Sequence, residues 1–210
     1  MKVLDASQTR PLEGGPSFSL GNRLFRVMWI AGWLLLARWT PPPLHGWRRF
    51  VLRRFGARVG AGARVHASVS IWHPGNLEIG EHALIGPGAR LYNQGRIVIG
   101  PRSVVSQRAH LCASSHDISD VNFQLVLRPI AIGMNCWVAA EAFVGPGVAM
   151  ADGSVLAARG VLFADTEPGG IYRGNPAAKV RQRGGSWPSA PDNAHVIDSH
   201  NPDSGGDAQA

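Results

Sequence analysis

Aliphatic side chains recur in this chain at intervals of six residues, a spacing that few folds accommodate. The series runs Val59, Val65, Ile71; Ile79, Ile85, Leu91; Ile99, Val105, Leu111; and, after a gap, Ile132, Val138, Val144, Met150, Leu156 and Leu162. The following residue is small at eleven of these fifteen positions, among them Gly60, Gly80, Gly86, Gly100, Ala139 and Gly145. Four residues after the aliphatic one the side chain is again small, as at Ala63, Ala83, Ala89, Ser103, Ala109, Cys136, Ala142 and Ser154. An α-helix repeats every ~3.6 residues and a strand every ~2, so neither alone generates this period.

A triangular solenoid does generate it. Each hexapeptide supplies one short strand and one corner, with the aliphatic residue pointing into a narrow prism and a small residue letting the chain turn. Three hexapeptides close a coil, and coils stack at about 4.8 Å. Fifteen hexapeptides therefore predict an all-β solenoid of about five triangular coils. Extra residues fall between Ile71 and Ile79, Leu91 and Ile99, and Leu111 and Ile132, each time after the third hexapeptide of a coil. The first two excursions are short; the third is a long loop, 113–131, on one edge of the solenoid, and such loops commonly carry function.

The flanks follow other rules. Residues 1–19 read as a flexible arm and 20–56 as a helical cap. Leu20 to Trp39 predicts a helix, apolar nearly all round from Val27 to Ala37 but too short in that run to span a bilayer. Pro41, Pro42 and Pro43 stop it. A second helix, Leu44 to Phe55, places Leu44, Trp47, Val51 and Phe55 on one stripe, with Arg48, Arg49, Arg53 and Arg54 largely away from it. The pair is expected to cover the open end of the first coil; a peripheral membrane contact is the sharper alternative. The β-helix itself is expected over 57–166, a further segment over 167–183, and a disordered tail of Gly, Ser, Pro, Asn and Asp over 184–210.

Charge narrows the partners without choosing one. The net charge is +7, and all 21 basic residues precede residue 184 whereas four of the 14 acidic ones follow it, so residues 1–183 carry +11 (21 − 10). Anionic lipid, a phosphate-bearing cofactor and nucleic acid all suit such a surface. Nucleic acid is not expected, because the arginines around 48–64 have little aromatic interleaving and no binding motif. Two cysteines outside any CxxC pattern argue against a disulfide framework or thiolate zinc site, and no secretory leader is visible; a cytoplasmic protein is expected.

The long loop opens Leu111-Cys112-Ala113-Ser114-Ser115-His116-Asp117. A histidine titrates where proton abstraction near neutrality needs it, and this one stands at the root of the long excursion beside a flat β-face. Asp117 is a candidate to orient its ring. The repeat, this Ser-Ser-His-Asp loop, the segment Ile132-Gly133-Met134-Asn135-Cys136-Trp137-Val138 and the ending Gly174-Asn175-Pro176-Ala177 together resemble the hexapeptide-repeat O-acetyltransferases. The similarity is to the colanic acid biosynthesis acetyltransferases, near the maltose and galactoside acetyltransferases, over roughly residues 15–183.

That resemblance implies a left-handed parallel β-helix forming a homotrimer, with active sites in the clefts between subunits. It implies acetyl-CoA as co-substrate, no metal, and a saccharide acceptor in exopolysaccharide or cell-surface glycan biosynthesis. His116 matches the catalytic base, Trp137 the aromatic residue near the pantetheine arm, and Ala140 and Ala158 small residues lining the cofactor groove. Asn175 belongs to the matched ending; Arg181 or Arg183 could meet cofactor phosphates. Tyr92, Asn93 and Gln94 would face the cleft with His116, although Asn93 and Gln94 stand where galactoside enzymes carry sugar-binding acidic groups. Phe163 and Ala164 depart from a Thr-Lys common near the adenine end. Two rivals compete: a γ-carbonic-anhydrase-like metalloenzyme using His66, His82, His110 or His116, and a non-catalytic β-helix scaffold.

Overall fold

Each hexapeptide forms a strand of two or three residues in which a surface residue precedes or flanks a buried aliphatic one, as in Arg58–Val59, Arg64–Val65 and Ser70–Ile71. The computed structural model describes residues 3–184; beyond Gly184 the tail expected to be disordered lies outside the described residues. Three parallel sheets make the walls of a left-handed prism. The first stacks Arg58–Val59, Leu77–Ile79, Ile97–Ile99, Ile130–Ile132 and Ala149–Met150. The third stacks Ser70–Ile71, Arg90–Tyr92, His110–Cys112, Phe143–Val144 and Val161–Leu162. The register sets every inward residue directly on the next, Val59 on Ile79, Ile79 on Ile99, Ile99 on Ile132 and Ile132 on Met150. A fully buried aliphatic side chain contributes about 1.5–3 kcal/mol, so the continuous central column is the fold's main source of stability. At the corner after the first sheet Gly60, Gly80, Gly100 and Gly133 stack. A Cβ on Gly80 would stand 2.5 Å from the Pro101 nitrogen, a contact that no side chain tolerates.

The second sheet departs from the expected count. Arg64–Val65, Leu84–Ile85, Val104–Val105, Trp137–Val138 and Val155–Leu156 are followed by a further parallel rung, Gly170–Gly174, and an antiparallel strand, Ala177–Gln182. The solenoid thus makes about six turns rather than five. The hexapeptide spacing ends at Leu162, and the extra rung puts Tyr172 in the inward place above Leu156, with its hydroxyl accepting from the Glu167 amide at 2.8 Å. An aromatic lid that closes the prism lies outside an aliphatic rule.

At the other end the first coil exposes a row of carbonyls with no coil beneath it, the situation of an edge strand. Helices Leu20–Leu36 and His45–Arg54 close that edge with side-chain donors. Trp29 Nε1 donates to Ile71 O (2.8 Å), Trp33 Nε1 to Ala67 O (3.2 Å), Arg48 Nε to Val65 O (2.6 Å), Arg49 Nη1 to Ala63 O (2.8 Å) and Arg53 Nε to Val59 O (2.9 Å). This corrects the stripe expected for the second helix. Arg48, Val51 and Leu52 are its buried residues, whereas Leu44 and Trp47 face outward. A carbonyl edge calls for donors as much as for apolar surface.

The arm expected to be flexible is also placed, at least over 3–18. Val3 bridges Phe18, Asp5 caps a short helix, Ala6–Thr9, and Gln124 in the long loop holds the arm at both ends of its amide. It accepts from the Ala6 amide at 2.7 Å and donates to Leu4 O at 3.2 Å. Phe18 is buried against Trp72, ring centroids 4.9 Å apart.

Candidate active site

The long loop is a hairpin. Ser114–His116 pairs antiparallel with Leu125–Leu127, so His116 stands opposite Leu125 at the hairpin's outer end. His116 Nδ1 lies 2.8 Å from Phe123 O, and its ring stacks on the Phe123 ring at 4.2 Å and 11°. A carbonyl only accepts, so Nδ1 carries the proton and Nε2 of the neutral ring presents a lone pair. Phe123 reaches this position with φ of 57°, a left-handed conformation uncommon for an aromatic residue, and such local strain gathers at functional sites. Asp117 does not orient the ring. Its carboxylate accepts from the Ser119 amide (2.9 Å) and hydroxyl (2.7 Å), and those bonds hold its pKa below the ordinary range. Asp117 follows the last residue of the strand, and the group that meets the His116 ring is the Phe123 carbonyl.

His116 separates two cavities. One, about 720 Å³, is floored by Cys112, Ser114 and Tyr92 and walled by Phe18, Trp72, Arg23 and Arg26. Its size suits a sugar or small oligosaccharide. The other, about 420 Å³, lies between Ser115, His116, Asp117, Arg128, Pro146 and Phe163. Tyr92 and Gln94 enter the larger cavity, with Gln94 Nε2 donating to the Tyr92 hydroxyl at 3.0 Å. Burial raises the Tyr92 pKa, so the phenol stays protonated. Asn93 does not join them. Its side chain is 0% exposed, Oδ1 accepts from the amides of Trp72 and His73 (2.9 and 3.2 Å), and Nδ2 donates to His73 O (2.6 Å). Three of its four hydrogen-bonding directions hold one coil to the next and the side chain is fully buried, so its expected contact with substrate is withdrawn.

The remaining candidates gather on a different wall. Trp137, 47% exposed, projects from the second sheet and donates from Nε1 to Ser106 Oγ at 2.9 Å. It borders a cavity of about 430 Å³ with Arg102, Asn135 and Arg183. Arg183 Nη1 donates to Asn135 O (2.9 Å) and Gly153 O (3.2 Å). Ala140 and Ala158 occupy equivalent corners of successive coils, after the second sheet, and the Ala140 carbonyl accepts from the Arg159 amide. Asn175 lies in the turn between Gly170–Gly174 and Ala177–Gln182, and Arg181 is exposed on the latter; neither borders the cavities above. His116 borders the first two of these cavities and Trp137 the third.

The histidines that suggested a metal site disperse. His66 packs edge-on against His45 (5.5 Å), His110 against Tyr92 (6.4 Å) and Phe143 (5.3 Å), and His116 on Phe123. Among the described residues no three His, Cys, Asp or Glu side chains converge. Phe18, Arg23, Arg26 and Trp72 also line the larger cavity, and none of them was among the expected site residues.

A left-handed β-helix of hexapeptides carrying a histidine hairpin on one edge defines the class of hexapeptide-repeat acyltransferases. Over 166 residues the chain is 40% identical to WcaF of Escherichia coli (strain K12), a protein designated a colanic acid biosynthesis acetyltransferase; this spans 79% of the chain and 91% of the relative. It is 24% identical over 138 residues to the galactoside O-acetyltransferase of the same organism, 64% of this chain and 68% of that one. No protein-family model matches. A hexapeptide-repeat acetyltransferase of Vibrio cholerae O1 biovar eltor, solved with acetyl-coenzyme A, shares the fold: TM-score 0.73 at 19% identity, covering 87% of this chain and 100% of that one. The chain belongs to the colanic acid biosynthesis acetyltransferase family of hexapeptide-repeat acyltransferases.

Proposed function

We propose that the protein moves an acetyl group from acetyl-CoA to a hydroxyl of a saccharide acceptor in exopolysaccharide or cell-surface glycan synthesis. The observation that carries this is the His116 ring, with Nδ1 tied to Phe123 O and Nε2 free between two cavities. Nε2 takes the proton of the acceptor hydroxyl as its oxygen attacks the thioester carbonyl, and the imidazolium returns that proton to the departing sulfur. The proton transfers balance without a covalent acyl-enzyme. The donor lies along the Trp137 wall, flat against the corners at Ala140 and Ala158, with Arg183 beside Trp137 and with Arg181 and Asn175 on the neighbouring hairpin.

Because one chain leaves base and donor wall apart, the reading includes a homotrimer in which His116 of one subunit faces the Trp137 wall of the next. It also includes a cytoplasmic location with peripheral contact to a membrane surface. Leu20, Leu24, Val27, Met28, Leu34, Leu35, Trp47 and Phe50 are exposed on the two cap helices, as is Trp39 in the turn between them, and residues 14–77 hold nine arginines and no acid. No helix among the described residues is long and apolar enough to cross a membrane.

Titration calorimetry with acetyl-CoA tests the reading. Saturable binding that survives in His116→Ala, while turnover falls by about 10²–10⁴-fold, is the expected result. Loss of acetyl-CoA binding in that variant, or no binding by the wild type at millimolar donor, overturns it.

A further inference from the structure

The larger of the two cavities that His116 borders is lined by two arginines and no carboxylate. Arg23 and Arg26 border it, and none of its lining residues is Asp or Glu. The ion pairs among the described residues join Arg10, Arg58, Arg96, Arg108, Arg159 and Lys179 to acids; Arg23 and Arg26 take part in none. Between Glu13 and Glu78 the chain has no acid that could approach them. The Arg26 guanidinium lies 4.0 Å above the centre of the Trp72 ring, and its Nε is buried without an acceptor. Partial burial lowers its pKa, the sign of a charge held with too little compensation. Gln94 is 7% exposed and its Oε1 is likewise buried without a partner beside the same cavity.

A cation kept half out of water without a counter-charge is costly, and so is a buried polar atom without a partner. The first cost falls if the ligand brings an anion to the Arg26 guanidinium, and the second if the Gln94 amide turns its oxygen toward a ligand hydroxyl. Arginine suits the first task better than lysine would. Its planar fork matches a carboxylate or phosphate, and stacking on Trp72 fixes the plane of that fork before the ligand arrives. The donor's own phosphates are the competing source of negative charge. On the reading above they belong to the Trp137 wall, where Arg102 and Arg183 border a separate cavity.

We propose that the acceptor is an anionic saccharide, bearing a carboxylate or a phosphate that Arg26 and Arg23 bind while a hydroxyl of the same molecule lies against His116. This deepens the acetyltransferase reading above and rests on it.

The test compares three probe acceptors on the full-length protein: a methyl hexoside, the matching methyl hexuronoside and the matching hexose 1-phosphate. Release of free CoA thiol reports transfer, and thermal shift reports binding where transfer is slow. The wild type is expected to prefer at least one anionic probe over the neutral one by about 10- to 100-fold, the strength of a charge-assisted pair. Arg26→Met, which keeps the stem over Trp72, and the exposed Arg23→Gln should each cut that ratio at least severalfold, raising acceptor KM while donor KM holds. A uronoside preference and a phosphate preference separate the two sources of charge. Equal use of neutral and anionic probes, no response to any anionic probe by a protein that binds acetyl-CoA, or a rise in donor KM alone overturns the proposal. Failure to bind acetyl-CoA at all would instead sink the reading on which it rests.

Discussion

At His116 the hydrogen bond to Phe123 O decides what the residue can do. A ring bonded through Nδ1–H to a carbonyl is already the tautomer that a base needs, and it requires no carboxylate to hold it. Asp117→Asn is therefore expected to leave kcat within about threefold of wild type, the range of a surface substitution that disturbs no partner. A loss of a hundredfold or more in steady-state turnover would return the aspartate to the mechanism. The placing of His116 at the root of the long insertion was legible in the sequence. The carbonyl that meets its ring was not, because a backbone carbonyl leaves no mark on a sequence. The aromatic walls did leave one. The corner after each inward aliphatic is small at eleven of fifteen positions, and the exceptions are His66, Trp72, Tyr92 and Phe163. Three of those four border a cavity that touches His116, so a broken repeat marks the site better than any motif around the histidine. Asn93, one residue past Tyr92, shows the limit of that signal: it turns inward and ties two coils together.

The cap helices show how an element can be found correctly and faced wrongly. Leu20–Leu36 and His45–Arg54 fall within three residues of the boundaries that the sequence suggests, since three prolines separate them. The apolar stripe nevertheless misplaces the second helix, because its buried face is built around Arg48. That guanidinium is 0% exposed and donates to Val65 O, Thr40 Oγ1 (2.7 Å), Pro41 O (3.0 Å) and Pro42 O (2.6 Å). Arg48→Met strands several acceptors at about 1–3 kcal/mol for each that water cannot reach. The expected consequence is a melting temperature lower by roughly 5–15 °C, read by calorimetry. An unchanged melting temperature would mean that the first coil's edge does not depend on this side chain. The outward face makes a separate prediction. Exposed Arg38 and Arg54 belong to the same cap as exposed Leu24, Val27, Leu35 and Trp47, and each arginine near an anionic surface adds about 1 kcal/mol of attraction. The protein should sediment with phosphatidylglycerol vesicles, weakly with phosphatidylcholine, and Val27→Asp with Leu35→Asp should abolish the difference. A change in oligomeric state from that double variant, with vesicle binding intact, would assign the face to another subunit.

Over the whole molecule, the periodicity that made the solenoid readable also explains why the complete site is not. Inward residues repeat because each coil meets an identical neighbour, and that rule fixes walls and corners from sequence alone. Which wall of one prism meets which wall of another depends on surface shape, for which the repeat has no signature. His116 and Trp137 are each identified by the resemblance, yet one chain sets them on separate cavities. The proposed ring of three copies makes the consequence measurable. If each active site takes His116 from one subunit and the donor wall from the next, His116→Ala and Ala158→Trp damage opposite halves of the same site. Either variant alone should be inactive. Unfolded together and refolded as a mixture, they should form sites at random, and about one quarter of those sites would receive an intact histidine and an intact wall. Acetyl transfer should then rise to about a quarter of the wild-type rate, with trimer mass verified by light scattering. A mixture as inactive as its components would place base and donor wall in the same subunit, and the cavity between Asp117 and Phe163 would become the donor site.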